Sequence, residues 1–294
     1  MKKIQLHAYA KINLTLDVTG KRPNGYHDVE MIMQQISLCD EVTVSWEAGS
    51  VRRGKPGQTA EPDPTGIQIQ LTVSRPDLPA DSSNLAWKAA EEMIAEFGGP
   101  AGGNAKAAAG TDAADGSSKA AAGTDAAGGV LTIDIQKQIP MAAGLAGGSS
   151  NCAAVLHAIN QLWELNRSVK VLCRIGARLG SDVPFCIMGQ AAAEKALQGS
   201  FADDPDACHC ALATGTGTDL KPLTGLDSFI VLSKPAIGVS TAEVYRGIDN
   251  EGIPRHPDNN AVISAICENN YKVLEKKMVN VLENFALQRY PIIV

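Results

Sequence analysis

Apolar and polar positions alternate over residues 4–18, the period of a half-buried strand. A second apolar-rich run over residues 29–45 predicts further strands around Cys39-Asp40. Between them, Pro23 presets φ and Asn24-Gly25 accepts positive φ, so residues 20–25 read as a turn. Ser82-Ser83-Asn84 supplies an N-cap for residues 85–94, which carry helical spacing. Residues 130–135 alternate again as a strand. A glycine-rich stretch follows, and then Ala154, Leu156, Ile159 and Leu162 recur at helical spacing within residues 151–165. Residues 169–179 predict a short helix, and 180–189 a turn leading into an apolar run. Beyond about residue 195 the texture changes. A strand is predicted at 229–233, a helix opening at 241–248, a helix at 271–287 and a strand start at 289–294.

Residues 98–129 break this pattern. Apart from Pro100 and Asn104 they hold small or charged residues, and Lys106–Ala114 recurs identically at 119–127. With no large apolar group to bury, the cost of ordering them is not offset, which predicts a flexible surface insertion. One short duplication is not a solenoid, which needs several stacked units.

The 294 residues suit one or two domains. A 45% hydrophobic and 20% charged composition is that of a soluble globular chain. The formal net charge of -6 supplies no broad basic surface for nucleic acid. Seven irregularly spaced cysteines argue for a reducing compartment rather than a disulfide framework. Cys208-His209-Cys210 lacks the second ligand pair of a metal site and reads as part of a loop or strand. The longest uncharged stretch, 138–163, is too polar to cross a bilayer, and no secretory leader is legible, so a cytoplasmic protein is expected.

Gly144-Leu-Ala-Gly-Gly-Ser-Ser150, between a strand and a helix, is the most informative segment. Its glycines let backbone N–H groups approach an anion, and a helix starting at Ser149 or Ser150 aims its positive end there. The spacing is neither a Walker A loop nor the dinucleotide fingerprint, which also disfavours a nicotinamide oxidoreductase. Lys11 shares a strand face with Tyr9 and Asn13, and Asp182 sits in a Gly-Ser-Asp-Val-Pro turn. A lysine, a carboxylate and a phosphate loop together make a phosphoryl-transfer set.

Ala10-Lys-Ile-Asn-Leu14, Gly25-Tyr-His27, residues 139–151 and Leu179-Gly-Ser-Asp-Val-Pro184 resemble the GHMP kinase superfamily. The paired Lys-Ile-Asn and Gly-Tyr-His segments, with Pro235-Ala-Ile-Gly-Val-Ser-Thr241 and Tyr245, resemble its branch acting on a cytidylyl-linked sugar alcohol. The resemblance covers about residues 4–98 and 130–294. It implies an α+β, two-domain fold: a ribosomal-S5-like domain over 1–195 and a ferredoxin-like domain over 196–294.

Roles follow from the resemblance alone. Asp182 is implied as general base and Lys11 as its charge partner. Pro140, Met141, Ala142, Ala143, Gly144, Leu145, Ala146, Gly147, Gly148, Ser149 and Ser150 are implied around ATP, with a serine near Mg²⁺. Asn84, Leu85 and Lys137 match positions by the adenosine. Asn13 and His27 match polar substrate contacts, and Tyr26 and Tyr245 the walls of a cytosine slot. Thr241 matches a contact at the substrate's diphosphate end. A monomer or weak homodimer is implied, with ATP and a small-molecule substrate as its partners and neither nucleic acid nor membrane. Ala142, Ala143 and Ala146 stand where the family usually has glycine. The family also carries a Ser-Gly-Ser-Gly-like turn after residue 283 that is not found here. An incomplete second domain with much reduced activity and stability is therefore expected. The alternative is a catalytically impaired nucleotide-binding remnant.

Overall fold

The computed structural model describes residues 1–49, 65–100 and 128–293, with the side chains of 241, 242, 250 and 251 excepted. The insertion expected at 98–129 falls, over 101–127, outside the described residues. The chain is α+β. Strands β1 (Lys2–Lys21) and β2 (His27–Ala48) form one long antiparallel hairpin closed by the predicted turn, where Gly25 takes φ 83°. β2 is the spine of the sheet. β1 runs along one edge of it, and the other edge is shared by two partners. β4 (Gly129–Gln136) pairs with residues 41–48, and β5 (Cys210–Thr214) with 31–34. β3 (Ile67–Val73) lies parallel to β4, and β6 (Asp219–Leu223) antiparallel to β5, giving the order β3-β4-β2-β5-β6. Residue 195 falls before β5, so β5 and β6 join the same sheet as the elements preceding them.

Helices α1 (Leu85–Phe97), α2 (Gly147–Leu162), α3 (Val169–Ala177) and α4 (Val183–Ala193) pack on this sheet in one apolar core. Asn84 caps α1 as its position predicts, accepting from the Ala86 N–H at 2.9 Å. α2 is central, with every residue from Ser150 to Asn160 buried. A helix buried all round must satisfy its polar side chains internally. Asn160 bonds the Arg167 backbone twice, and His157 Nε2 donates to the Ile187 carbonyl at 3.0 Å. α4 is the apolar run after Asp182. It is buried over Val183–Ala191, which erased any 3.6-residue signal.

A short helix α5 (Gln198–Phe201) precedes β5, and α6 (Thr241–Glu251), α7 (Asn259–Cys267), α8 (Tyr271–Lys277) and α9 (Glu283–Arg289) follow β6. Alternation in β2 sorts two further cores. Met31 and Met33 face Phe185 of α4, Ile248 of α6 and Val281, whereas Ile32 faces Val262 and Ile266 of α7 and Leu274 of α8.

Three expectations for the last third are corrected. Residues 229–233 form no strand, and Phe229 and Val231 are fully exposed. The helix expected over 271–287 is two helices. Between them the chain runs extended beside β1, with Leu16 N–H donating to Val279 O and Val281 N–H to Leu16 O. Burial of Val281 and these sheet-like bonds outweigh local helical preference. Residues Pro291–Ile293 form a 3₁₀ turn rather than a strand start.

Full burial lowers the His157 pKa to about 4 and leaves Nδ1 without a partner. The unfolded chain therefore binds a proton below pH ~6.5 that the folded chain refuses until pH ~4. Stability is expected to fall across that window by about 3 kcal/mol from this group. Denaturant titrations from pH 7 to pH 4 check it: His157→Gln should flatten that acid limb.

Candidate active site

The glycine-rich loop, the β1–β2 hairpin and α6 enclose a cavity of about 1290 Å³. Residues Met141 to Ser149 line it. α2 starts at Gly147, and Ala146, at its N-cap, makes no side-chain capping bond. No acidic residue stands in the first turn. The N-terminal N–H groups of a buried sixteen-residue helix thus face the cavity without a side-chain acceptor, an arrangement that suits an anion such as phosphate. Gly144 takes φ 72°, and a side chain at Gly147 would press at 3.1 Å on Lys137 Nζ and Ile139.

Two bonds fix the loop to β1. The Lys11 N–H donates to the Leu145 carbonyl, and the Ser150 hydroxyl donates to the Tyr9 carbonyl at 2.6 Å. Ser150 is fully buried and also accepts from Gln190, so of the two serines Ser149 is the one facing the cavity.

Lys11 and Asp182 meet across the cavity floor, with Nζ and Oδ2 3.5 Å apart. Lys11 is buried and also donates to Asn13 Oδ1 at 3.2 Å. Asp182 occupies the N-cap position of α4 but makes no capping bond, so its carboxylate, one-third exposed, stays available to the cavity. Tyr9 does not join them. The β1–β2 register shifts between Tyr9 and Lys11, and the Tyr9 ring lies beside His7 instead. A bulge of this kind re-aims side chains that simple alternation would put on one face.

Asn84 and Leu85 line the cavity near Gly148, although the Asn84 side chain is committed to capping α1 and to the Pro79 carbonyl. Lys137 also lines it, but its ammonium is largely spent: it bonds Asp40 and donates to Asn151 Oδ1 at 3.0 Å. At the hairpin end, His27 stacks on Tyr245 with centroids 4.9 Å apart and planes 25° apart. His27 Nε2 bonds Asp249 Oδ1 at 2.7 Å, and Lys21 donates to Oδ2 of the same carboxylate at 2.6 Å. Burial, reinforced by the negative charge of Asp182, pushes the Tyr245 phenol up to about 12, so it stays a neutral hydrogen-bonding group. Tyr26 is 62% exposed at the mouth. The ring packed on Tyr245 is thus His27, not Tyr26. The Thr241 side chain lies outside the described residues.

Sequence reasoning missed Asp40, Lys21 and Asp249. Asp40 signalled itself only as an acid inside an apolar strand, and Asp249 as the residue four after Tyr245, on the same helix face.

Ala142 and Ala146 sit at φ 48° and 56°. An L-residue with a Cβ costs about 1–2 kcal/mol in this region, and glycine returns part of that as unfolded-state entropy. Ala146→Gly is expected to raise stability by about 0.5–1 kcal/mol, read as a higher denaturation midpoint. Ala143→Gly, at a residue without positive φ, should not.

The profile of the GHMP kinases N terminal domain matches residues 84–190. A 4-diphosphocytidyl-2-C-methyl-D-erythritol kinase of Alkaliphilus metalliredigens is 38% identical over 294 residues, spanning all of this chain and 79% of that protein. The enzyme of the same name from Bacillus subtilis is 36% identical over 97% of this chain and 76% of its own length. A crystal structure of a 4-(cytidine 5'-diphospho)-2C-methyl-D-erythritol kinase superimposes with a TM-score of 0.61 at 25% identity, covering 98% of this chain and 79% of that one. A homoserine kinase from Cytophaga hutchinsonii, at 14% identity and a TM-score of 0.53, shares the fold. At this identity and coverage, and on this fold, the chain is a member of the 4-diphosphocytidyl-2-C-methyl-D-erythritol kinase family of GHMP kinases.

Proposed function

We propose that the protein transfers the γ-phosphoryl group of ATP to the 2-hydroxyl of 4-diphosphocytidyl-2-C-methyl-D-erythritol, in the cytoplasmic non-mevalonate route to isoprenoid precursors. The observation that carries this reading is the Lys11–Asp182 pair, 3.5 Å apart, in the same cavity as the uncapped start of α2. The names of the relatives supply the acceptor.

In this reading Asp182 accepts the proton of the attacking hydroxyl. Lys11, held by Asn13, stands beside that carboxylate and offsets the charge that develops on the oxygen. Backbone N–H groups of Gly147–Ser149 receive phosphate oxygens, and Leu85 and the aliphatic stem of Lys137 border the nucleoside. His27, Tyr245 and Tyr26 contact the cytidylyl end, where stacking on an aromatic ring contributes about 1–3 kcal/mol. Little covalent chemistry is asked of the protein, so positioning and charge dominate.

Among the described residues no group of three or more His, Cys, Asp or Glu could hold a metal. Mg²⁺ needs no such group, because it keeps several waters and binds through one or two protein oxygens together with nucleotide phosphates. Ser149 lines the cavity and its hydroxyl would serve as such an oxygen. Bound with the nucleotide, Mg²⁺ would neutralise charge between the phosphates.

ADP release with Mg-ATP tests the reading, with homoserine and mevalonate as controls. Release that depends on the cytidylyl alcohol alone is expected. Release driven equally by a control alcohol, or by none, overturns the acceptor assignment. Asp182→Asn should lower kcat at least about 100-fold while ATP still binds. Unchanged turnover in that variant would remove Asp182 as the base.

A further inference from the structure

Asp40 lies in β2 with no exposed surface, outside the cavity lining, yet its carboxylate receives four donors. Oδ1 accepts the N–H groups of Gln138 at 2.7 Å and Ile139 at 2.8 Å. Oδ2 accepts from the Lys137 ammonium and from Asn151 Nδ2, the latter at 2.8 Å. Residues 137–139 lead into the glycine-rich loop, and Asn151 stands in the first turns of the helix that leaves it. One buried carboxylate therefore ties together both ends of a loop whose interior holds two alanines and a glycine at positive φ. Lys137 completes the ring by donating to Asn151 Oδ1 at 3.0 Å. Two of its three N–H bonds are thereby used inside the protein.

We propose that Asp40 is the positioning residue of the phosphate loop: through Lys137, Asn151 and the 138–139 backbone it sets the distance between the loop's entry and the start of α2, and so the aim of the N–H groups that receive the nucleotide phosphates. A buried carboxylate with all its lone pairs engaged has one low-energy arrangement, which gives the loop its rigidity. Without it, Lys137 loses its counter-charge, and the entry strand is free to move against α2. The inference rests on the reading of the loop as the ATP site.

The test uses the full chain with Asp40→Asn, which keeps the side chain's size and removes its charge. KM for ATP and the Kd of a fluorescent ATP analogue are expected to rise about tenfold or more, because small misplacements of positioning groups are costly. KM for the cytidylyl alcohol should stay within about twofold. Ile175→Val, a buried trimming in α3 away from the cavity, should lower Tm and leave both constants unmoved. Adding Lys137→Met to Asp40→Asn removes the stranded ammonium. It should recover Tm without recovering affinity for the analogue. Analogue affinity that returns together with Tm, or that never changed, overturns the proposal. If Asp40→Asn yields no folded protein, Asn151→Ala frees only the exit end, and an unchanged analogue Kd there overturns it equally. Parent protein that binds the analogue but shows no cytidylyl-dependent ADP release would defeat the substrate assignment and leave the loop measurement standing.

Discussion

The carboxylate of Asp40 is the constraint on which the rest of the site depends. It sits where β2 passes from pairing with β5 to pairing with β4, and its two oxygens bind the segment that follows β4 and the first turns of α2. A buried charge survives only when paired and fully hydrogen-bonded, so this point tolerates little variation in geometry. Everything downstream inherits its placement. Lys11 bonds the loop from β1, Ser150 bonds β1 from α2, and Asp182 follows on α4, which packs against α2 and β1.

A second constraint is the burial of α2 on all sides. Its interior position gives the helix a rigid frame, so its N-terminal N–H groups are held before any ligand arrives. Such preorganisation is the main electrostatic resource of a phosphoryl-transfer site. The cost shows in Ala142 and Ala146, held in backbone conformations that glycine adopts more cheaply. The cost shows again in His157, buried neutral with one ring nitrogen unpartnered.

The opposite wall is built by pairing across a long separation in sequence. Tyr245 and Asp249, one turn apart on α6, hold His27 by its face and by its edge, and Lys21 completes the charge balance. Helix α6 thereby closes the cavity over the tip of the hairpin, and the two ends of the chemistry come to rest on one extended pair of strands.

Much of this was legible in the residues. The alternation of β1 and β4, the cap at Asn84, the glycine-rich loop entering a helix, and the candidate pair Lys11 and Asp182 all follow from local patterns, because period and turn chemistry are properties of neighbouring residues. Where burial is complete the pattern vanishes, as in α4, whose uniformly apolar run carried no helical period. Where distant segments meet, local preference is overruled. Residues 278–282 leave a helical pattern to pair with Leu16, and the register shift after Tyr9 separates it from Lys11. Asp40 and Asp249 carried only a faint local signature and the stack of His27 on Tyr245 none, since each matters only through groups brought to it from far along the chain. The sequence by itself determined the strands, the glycine-rich loop and the candidate pair Lys11 and Asp182. Tertiary structure alone decided how they are aimed, because aim is set by buried hydrogen bonds and packing between residues far apart in sequence, such as Asp40 with Ile139 and Asn151.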